Sequence, residues 1–338
     1  MLWRIALRRL LAALPNLAGV VIVTFLLTRA LPGDPAAYFA GFAASAEAVE
    51  QVREKLGLND NLVVQFGRYV WALAQGDFGN SLTTGQPVLQ ELITRLPASL
   101  ELTLLGLLLA CALAIPMGIA AATRPNSWVD HLTRIVATAG VSLPIFFTGL
   151  LLAYVFYYLL GWAPAPIGRL EPYFSPPAHL TGFYLIDSLV EGNGQVFWAA
   201  LKQMALPAIT LGLFVLAPLA RMTRASMLGV LSSDFVRTAR AGGLSRHTIL
   251  YTYAFRNAML PVLTTLGMVF SFLLGSNVLV EKVFAWPGIG SYAIEALVSS
   301  DYAPVQGFVL TMAGLYVLLN LAIDLLYTVI DPRARVDA

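Results

Sequence analysis

Six stretches of this chain lack Asp, Glu, Lys and Arg for about the length that crosses roughly 30 Å of hydrocarbon: 10–28, 102–123, 135–168, 203–220, 257–280 and 302–323. Hydrocarbon offers a backbone no hydrogen bonds, so each stretch satisfies its own N–H and C=O groups as a helix. The chain reads as an all-α integral membrane protein with six transmembrane helices. Its 58% apolar and 12% charged residues, with mean hydropathy +0.74, lie outside the usual balance of a soluble domain. Cys111 is the single cysteine and sits mid-span in LLLACALAIP, where it packs and founds no disulfide framework.

The basic residues orient the helices, because Lys and Arg in short loops are retained on the cytoplasmic side. With the N-terminus inside, segments 1–9, 124–134, 221–256 and 324–338 hold 13 basic residues in 71 positions, and the outer segments hold 8 in 128. Formal charge then divides into +8 inside and −6 outside, and both ends of the chain are cytoplasmic. The opening MLWRIALRRLLAALPNLAGVVIVTFLLTRALPG has the basic start of a secretory signal, but its apolar run is too long for one. It is expected to remain as the first helix.

Three divisions follow: residues 1–31 as an N-terminal transmembrane helix, 32–98 as an outer loop with a helical cap, and 99–338 as a five-helix core that includes an inner loop over 232–257. The first outer loop opens on the turn signal PGDP (Pro32 to Pro35). Helical spacing follows at Val49, Val52 and Leu56 and, after the GLND break, at Val63, Phe66, Tyr69, Val70 and Leu73. The second outer loop, about 161–202, is proline-rich and reads as irregular. In the third, EKVFAWPGIGSYAIEAL turns at Pro287, Gly288 and Gly290 into a short amphipathic helix.

Enzymatic chemistry is mostly excluded. A phosphate-binding P-loop needs Gly-Lys-Ser/Thr, whereas the three lysines follow Glu54, Leu201 and Glu281. His131, His179 and His247 divide between the two sides of the membrane, so no zinc site of ordinary type forms. Ser142 has no histidine at membrane depth to activate it. No catalytic, cofactor-binding or metal-ligating residue is assigned. Glu101 and Arg29 lie at outer helix ends where they can snorkel. Asp324 lies within reach of Arg333 or an interhelical partner. The lack of a central acid or base argues against proton coupling. Pro116, Pro144, Pro207, Pro218 and Pro261 each delete an intrahelical hydrogen bond and are expected to bend their spans.

The inner segment SSDFVRTARAGGLSRHTILYTYAFRNAMLP (232–261) is the most informative polar stretch. Ser233 is placed to cap a short helix, Asp234 complements its positive end, Arg237 and Arg240 share a face, and Gly242-Gly243 stops it. Ser245 caps a second helix that runs into Pro261 and the fifth span. A short helix held at a glycine elbow and joined to a transmembrane element can pass force to a soluble partner. A cytoplasmic arginine-rich loop also serves simply to fix topology.

RTARAGGLSRHTILYTYAFRNAMLPVLT resembles the cytoplasmic coupling loop, the EAA-type motif, of binding-protein-dependent ABC importer permeases, specifically their peptide and nickel subfamily. The likeness extends over nearly the whole chain through RRLLAALPNLAGV, LPGDP, GDFGNSL, LTGFYLIDSL, LPAITLG, RMTRASMLGVLSSDFVRTARAGGL, EKVFAWPGIG and NLAIDLLYTVIDPRAR. Two departures are visible. Gly242 stands where the family usually has Lys, and Arg237, Thr238 and Ala239 stand in place of its Glu-Ala-Ala.

The resemblance implies an ATP-driven importer permease of the inner membrane for dipeptides, with oligopeptides, glutathione and nickel as other cargoes. It implies a second homologous permease, two ABC ATPase subunits that carry the ATP and Mg, a periplasmic peptide-binding protein, surrounding membrane lipid and no nucleic acid. This chain itself then binds no cofactor and is not the ATPase. Arg237, Ala239, Arg240, Gly243 and Leu244 are the residues the resemblance places in the ATPase groove. The rival classes are a self-sufficient secondary transporter and a membrane anchor or assembly factor.

Overall fold

The computed structural model describes residues 2–30, 35–41, 44–55 and 57–330. The PGDP turn signal, except for Pro35, and the DPRAR end with Arg333 lie outside the described residues. Among those described there is no strand, only an isolated bridge between Asn80 and Pro87. The helices are α1 (Leu2–Ala30), α2 (Pro35–Ala40), α3 (Ala46–Lys55), α4 (Leu62–Ala74), α5 (Val88–Thr123), α6 (Trp128–Val141), α7 (Ile145–Leu159), α8 (Tyr184–Val190), α9 (Gly194–Leu231), α10 (Asp234–Ala241), α11 (Thr248–Val283), α12 (Ile289–Val298) and α13 (Tyr302–Ile330). Within these, 153–159 of α7 and 248–255 of α11 are wound as π-helix.

Five helices are long and apolar enough to cross a membrane: α1, α5, α9, α11 and α13. The sixth expected span, 135–168, is not one helix. It is the pair α6 and α7, bent by 101°. Pro144 is the cause, since it lacks an N–H and disfavours helical backbone at the residue before it; it stands at the N-cap of α7 with ψ 140. Pro207, Pro218 and Pro261 by contrast lie inside α9 and α11, which continue through them.

The chain divides into two compact units. One comprises residues 1–99 and 287–321. In it α4 lies on α1 through Phe25, whose ring meets Phe66 edge-on at 5.1 Å, while Arg29 caps the Phe25 ring at 3.7 Å and donates to Gln65. Arg29 is thus held by an aromatic ring and an amide while remaining partly exposed. Burial pushes the Tyr69 hydroxyl beside it up to about 12. The α3 and α4 helices fall where the loop's periodicity predicts them. They are separated at Gly57, whose φ of +65 makes the GLND turn. The Trp-Pro-Gly turn leads into α12, where Ser99 Oγ accepts from the Ile289 N–H and a core of Val88, Leu92, Ile289 and Tyr292 closes. Asp301, fully buried, accepts from Ser81 and from both the N–H and the hydroxyl of Thr83.

The other unit comprises residues 100–286 and 322–338. Its centre is α9, flanked by α6, α7 and α11. A Cβ on Gly106 would stand 2.8 Å from Leu211 Cβ, and one on Gly118 would stand 2.6 Å from Thr223 Cβ. The positions advance together on both helices, so α5 and α9 run parallel. Close backbone approach at small residues is how membrane helices gain dispersion energy, since lipid removes the hydrophobic drive between them. Parallel α5 and α9 require the bent pair α6–α7 to bring the chain back across. It therefore counts as the sixth span despite its break. The antiparallel α11 completes the core, with Val262 beside Ala114, Leu216 and Leu219, and Ala254 and Ala258 beside Ile119, Ala122 and Met227. Cys111 packs on the first of these clusters, as expected.

Among the described glycines the closest approach to a neighbouring backbone is at Gly140 of α6, where a Cβ would lie 2.5 Å from the Leu213 backbone oxygen. Backbone cannot swing away as a side chain can. Gly140→Ala is expected to destabilise by about 1–3 kcal/mol, the usual range for overpacking, measurable as a lowered unfolding temperature in detergent.

The second outer loop is irregular apart from α8 and is tied down by two buried carboxylates. Glu101 does not snorkel: it is 5% exposed, accepts from Arg169 at 2.7 Å and from the Leu185 N–H at 2.8 Å, and Arg169 stacks 3.4 Å from the Tyr184 ring centre. Glu101 lies not at a helix end but within α5, which begins at Val88, and the length of the loop lets an arginine reach back to it there. Asp187 accepts from the Thr181 N–H and hydroxyl and from the Gly182 N–H. Burial alone would raise its carboxyl, but these hydrogen bonds outweigh burial and hold it below the ordinary aspartate range. A depressed folded value means stability present above the unfolded value of about 3.9 and lost as pH falls through the folded one. Protease cleavage near Thr181 is expected to accelerate below about pH 4. In Asp187→Asn this pH step should be absent.

Candidate coupling surface

The polar segment after α9 forms one compact corner. At Ser232 and Ser233 the chain leaves α9, and α10 follows for eight residues. Ser233 stands at the N-cap with extended ψ, but its hydroxyl donates to the Val230 carbonyl at 2.6 Å instead of capping. Asp234 therefore supplies the negative charge at this helix start. Val236 and Ala239 point inward and seat α10 on Ile249, Val230 and Leu231. One apolar stripe of two residues is sufficient to fix such a short helix, because both its ends are covalently tied to spans.

The outward face is cationic with two apolar knobs. Arg237, with its side chain 80% exposed, stands 3.4 Å from Asp234 one turn back. Arg240 is exposed, and Phe235 and Leu244 are 43% and 40% exposed. Of the five residues singled out in the sequence, Arg237, Arg240 and Leu244 are thus on the surface, Ala239 is inside at 9% exposure, and Gly243 makes the turn. Phe235 was not singled out. Its signal was an aromatic side chain within an otherwise polar helix.

The two glycines of the elbow differ. Gly243 has φ +74, in the left-handed region where a side chain is strained. Gly242 has φ −74, and a Cβ there would find its nearest neighbour at 3.5 Å, an ordinary contact. Only Gly243 is required by the turn, and position 242 has the backbone and the space for a side chain. Beyond the elbow, Ser245 Oγ accepts from the Thr248 N–H and starts α11, as expected.

Behind this corner lies a clamp that sequence reading missed. Asp130, fully buried at the start of α6, receives Arg224 Nε at 2.6 Å and Nη2 at 2.7 Å, the bidentate arrangement in which a guanidinium binds most strongly. It also accepts the Asn126 N–H at 2.9 Å, fixing a turn in which Asn126 has φ +61. The clamp joins α6 to α9 seven residues before α9 ends. Its signal, an acid in the 124–134 loop and RMTR in the next inner segment, is two charges 94 residues apart, and the acid also has a local partner in Arg134, 3.8 Å away one turn on.

Among the described residues no group of three or more His, Cys, Asp or Glu is placed to hold a metal ion. What the corner offers is mechanical: a short helix, rigidly seated, presenting arginines and apolar knobs at the ends of two spans.

This architecture is that of a multi-pass membrane protein, and comparison with known proteins gives its family. Residues 114–336 match the family described as binding-protein-dependent transport system inner membrane component, and residues 1–103 match the N-terminal family of such membrane components. The chain belongs to the binding-protein-dependent transport system inner membrane component family. It is 46% identical over 331 residues to the probable D,D-dipeptide transport system permease protein DdpB of Escherichia coli K12, covering 98% of this chain and 97% of that protein. It is 42% identical to the dipeptide transport system permease protein DppB of Alkalihalophilus pseudofirmus, covering 98% of each. It is likewise 42% identical to the di/tripeptide transport system permease protein DppB of Pseudomonas aeruginosa, covering 97% of each.

Proposed function

We propose that this chain is one of two permease subunits through which an ATP-driven importer passes dipeptides or other short peptides from the periplasm to the cytoplasm. The observation that carries the reading is the rigid, exposed α10, whose apolar side is seated on the ends of α9 and α11 and whose cationic side faces away. Full-length similarity to peptide permeases supports the cargo, and the 13 basic residues of the inner segments support cytoplasmic termini in the inner membrane.

A second homologous permease completes the pathway, a periplasmic binding protein delivers the peptide, and two ATPase subunits hold the ATP and Mg. Arg237 and Leu244 contact an ATPase, Arg240 borders that contact, Ala239 supports them from behind, and Gly243 sets the angle. When ATP binding draws the ATPases together, α10 moves with them. Because it is seated on α9 and α11, those spans move as well, switching the pathway between outward-open and inward-open states. The test is uptake by the reconstituted complex with its binding protein, using labelled di-, tri- and pentapeptides. ATP-dependent uptake of the shorter peptides is expected; uptake by this chain alone without ATP would assign it to secondary transport.

A further inference from the structure

Beside the coupling helix is a cavity of about 590 Å³ that Arg237 does not line. Its walls come from the end of α5 (Ala122, Thr123), the end of α9 (Leu228, Leu231) and the start of α11 (Ile249, Leu250). Arg240 from α10 and Leu244 and Arg246 from the elbow onward also line it, and no acidic residue among those described does. Arg237 has Asp234 as a partner, whereas neither Arg240 nor Arg246 meets a carboxylate among the described residues. Two guanidinium groups therefore share a cavity whose other walls are largely hydrocarbon.

We propose that this cavity binds one anionic phospholipid, its phosphate held by Arg240 and Arg246 and an acyl chain lying on Leu228, Leu231 and Leu250. The proposal rests on the inward placement of α10 argued above. Three observations favour a lipid over an acidic side chain of a docked subunit. The charge calls for an anion, and basic pockets between cytoplasmic helix ends are suited to acidic headgroups. The apolar walls call for hydrocarbon on the same molecule, since removing them from water is favourable. The depth also fits: the apolar run of α5 ends at 123, so Thr123 lies where hydrocarbon gives way to headgroups. A phosphate bonded to residues on both sides of Gly243 would brace the elbow and make coupling depend on lipid charge.

The complete importer complex is placed in nanodiscs of phosphatidylcholine alone or of phosphatidylcholine with phosphatidylglycerol. Phosphatidylglycerol retained on release is measured by native mass spectrometry, together with ATPase activity stimulated by the binding protein. The intact complex should retain the lipid and respond to it. Arg246→Gln should retain it about tenfold less, the loss of one charge-assisted contact, and lose the response while keeping its activity in phosphatidylcholine. Arg237→Gln, altered outside the cavity, should retain lipid normally. Equal retention by Arg246→Gln overturns the site, as does replacement of the lipid effect by inorganic phosphate, or a cross-link from position 246 to an ATPase carboxylate. Absent stimulated ATPase in the intact complex would count against the importer reading, while lipid retention still reports on the cavity.

Discussion

Asp130→Ala is expected to lower the unfolding temperature of the permease by roughly 6–12 °C and to abolish peptide uptake. The carboxylate is fully buried and receives both arms of Arg224, so its removal leaves a guanidinium in a half-dry setting without its counter-charge. Breaking such a pair from one side costs about 3–5 kcal/mol. Arg224 keeps 25% of its side chain exposed, which places the expected loss near the lower end, about 3 kcal/mol. For a unit of this size each kcal/mol shifts the midpoint by roughly 2–4 °C. The double variant Asp130→Ala with Arg224→Ala should recover part of the loss, because it leaves no orphaned charge. A double-mutant cycle measured on the purified complex should give a coupling of about 1.5 kcal/mol or more. Additive single effects would mean that the clamp contributes nothing beyond its two separate side chains.

Gly243→Val should leave the protein inserted but uncoupled. At φ +74 a β-branched residue is forced out of the left-handed region at a cost of roughly 1–2 kcal/mol. Relaxing that strain rotates α10 about its own elbow, away from the orientation that Val236 and Ala239 impose. ATPase affinity is expected to fall about 5- to 30-fold, with uptake falling in parallel and expression unchanged. Gly243→Asn should be milder, since asparagine visits this region more readily. Gly242→Lys is the control: its backbone is ordinary and its Cβ position open, so docking and uptake should stay near normal. Equal damage at 242 and 243 would show that side-chain bulk, not backbone conformation, governs the elbow.

The parts of this fold legible in the sequence are those governed by local rules. Charge-free runs give helices in lipid, the periodicity around Val63 to Leu73 gives α4, and the serine and glycine signals give the start of α11 and the elbow at Gly243. Pro144 shows where such rules stop. Five prolines carried the same expectation of bending; Pro116, Pro207, Pro218 and Pro261 lie within helices that continue through them, while Pro144 divides a span by 101°.

The candidate surface divides in the same way. Arg237 and Arg240 were recognisable from their spacing on one helix. The inward turn of Ala239, the exposure of Phe235 and the grip of Asp130 on Arg224 depend on contacts with elements far along the chain. Glu101 illustrates the point most clearly. At a helix end it reads as a surface acid, and only the folded second loop brings Arg169, 68 residues away, to bury it.

The most direct measurement of whether α10 is the docking element is single-cysteine cross-linking in the assembled importer, with Cys111 replaced by alanine and cysteine placed in turn at Arg237, Leu244 and, facing inward, Val236. Short cross-links from positions 237 and 244 to the ATPase subunit, with none from 236, are the predicted result. A transport-competent complex in which neither 237 nor 244 ever reaches the ATPase would contradict docking at this helix.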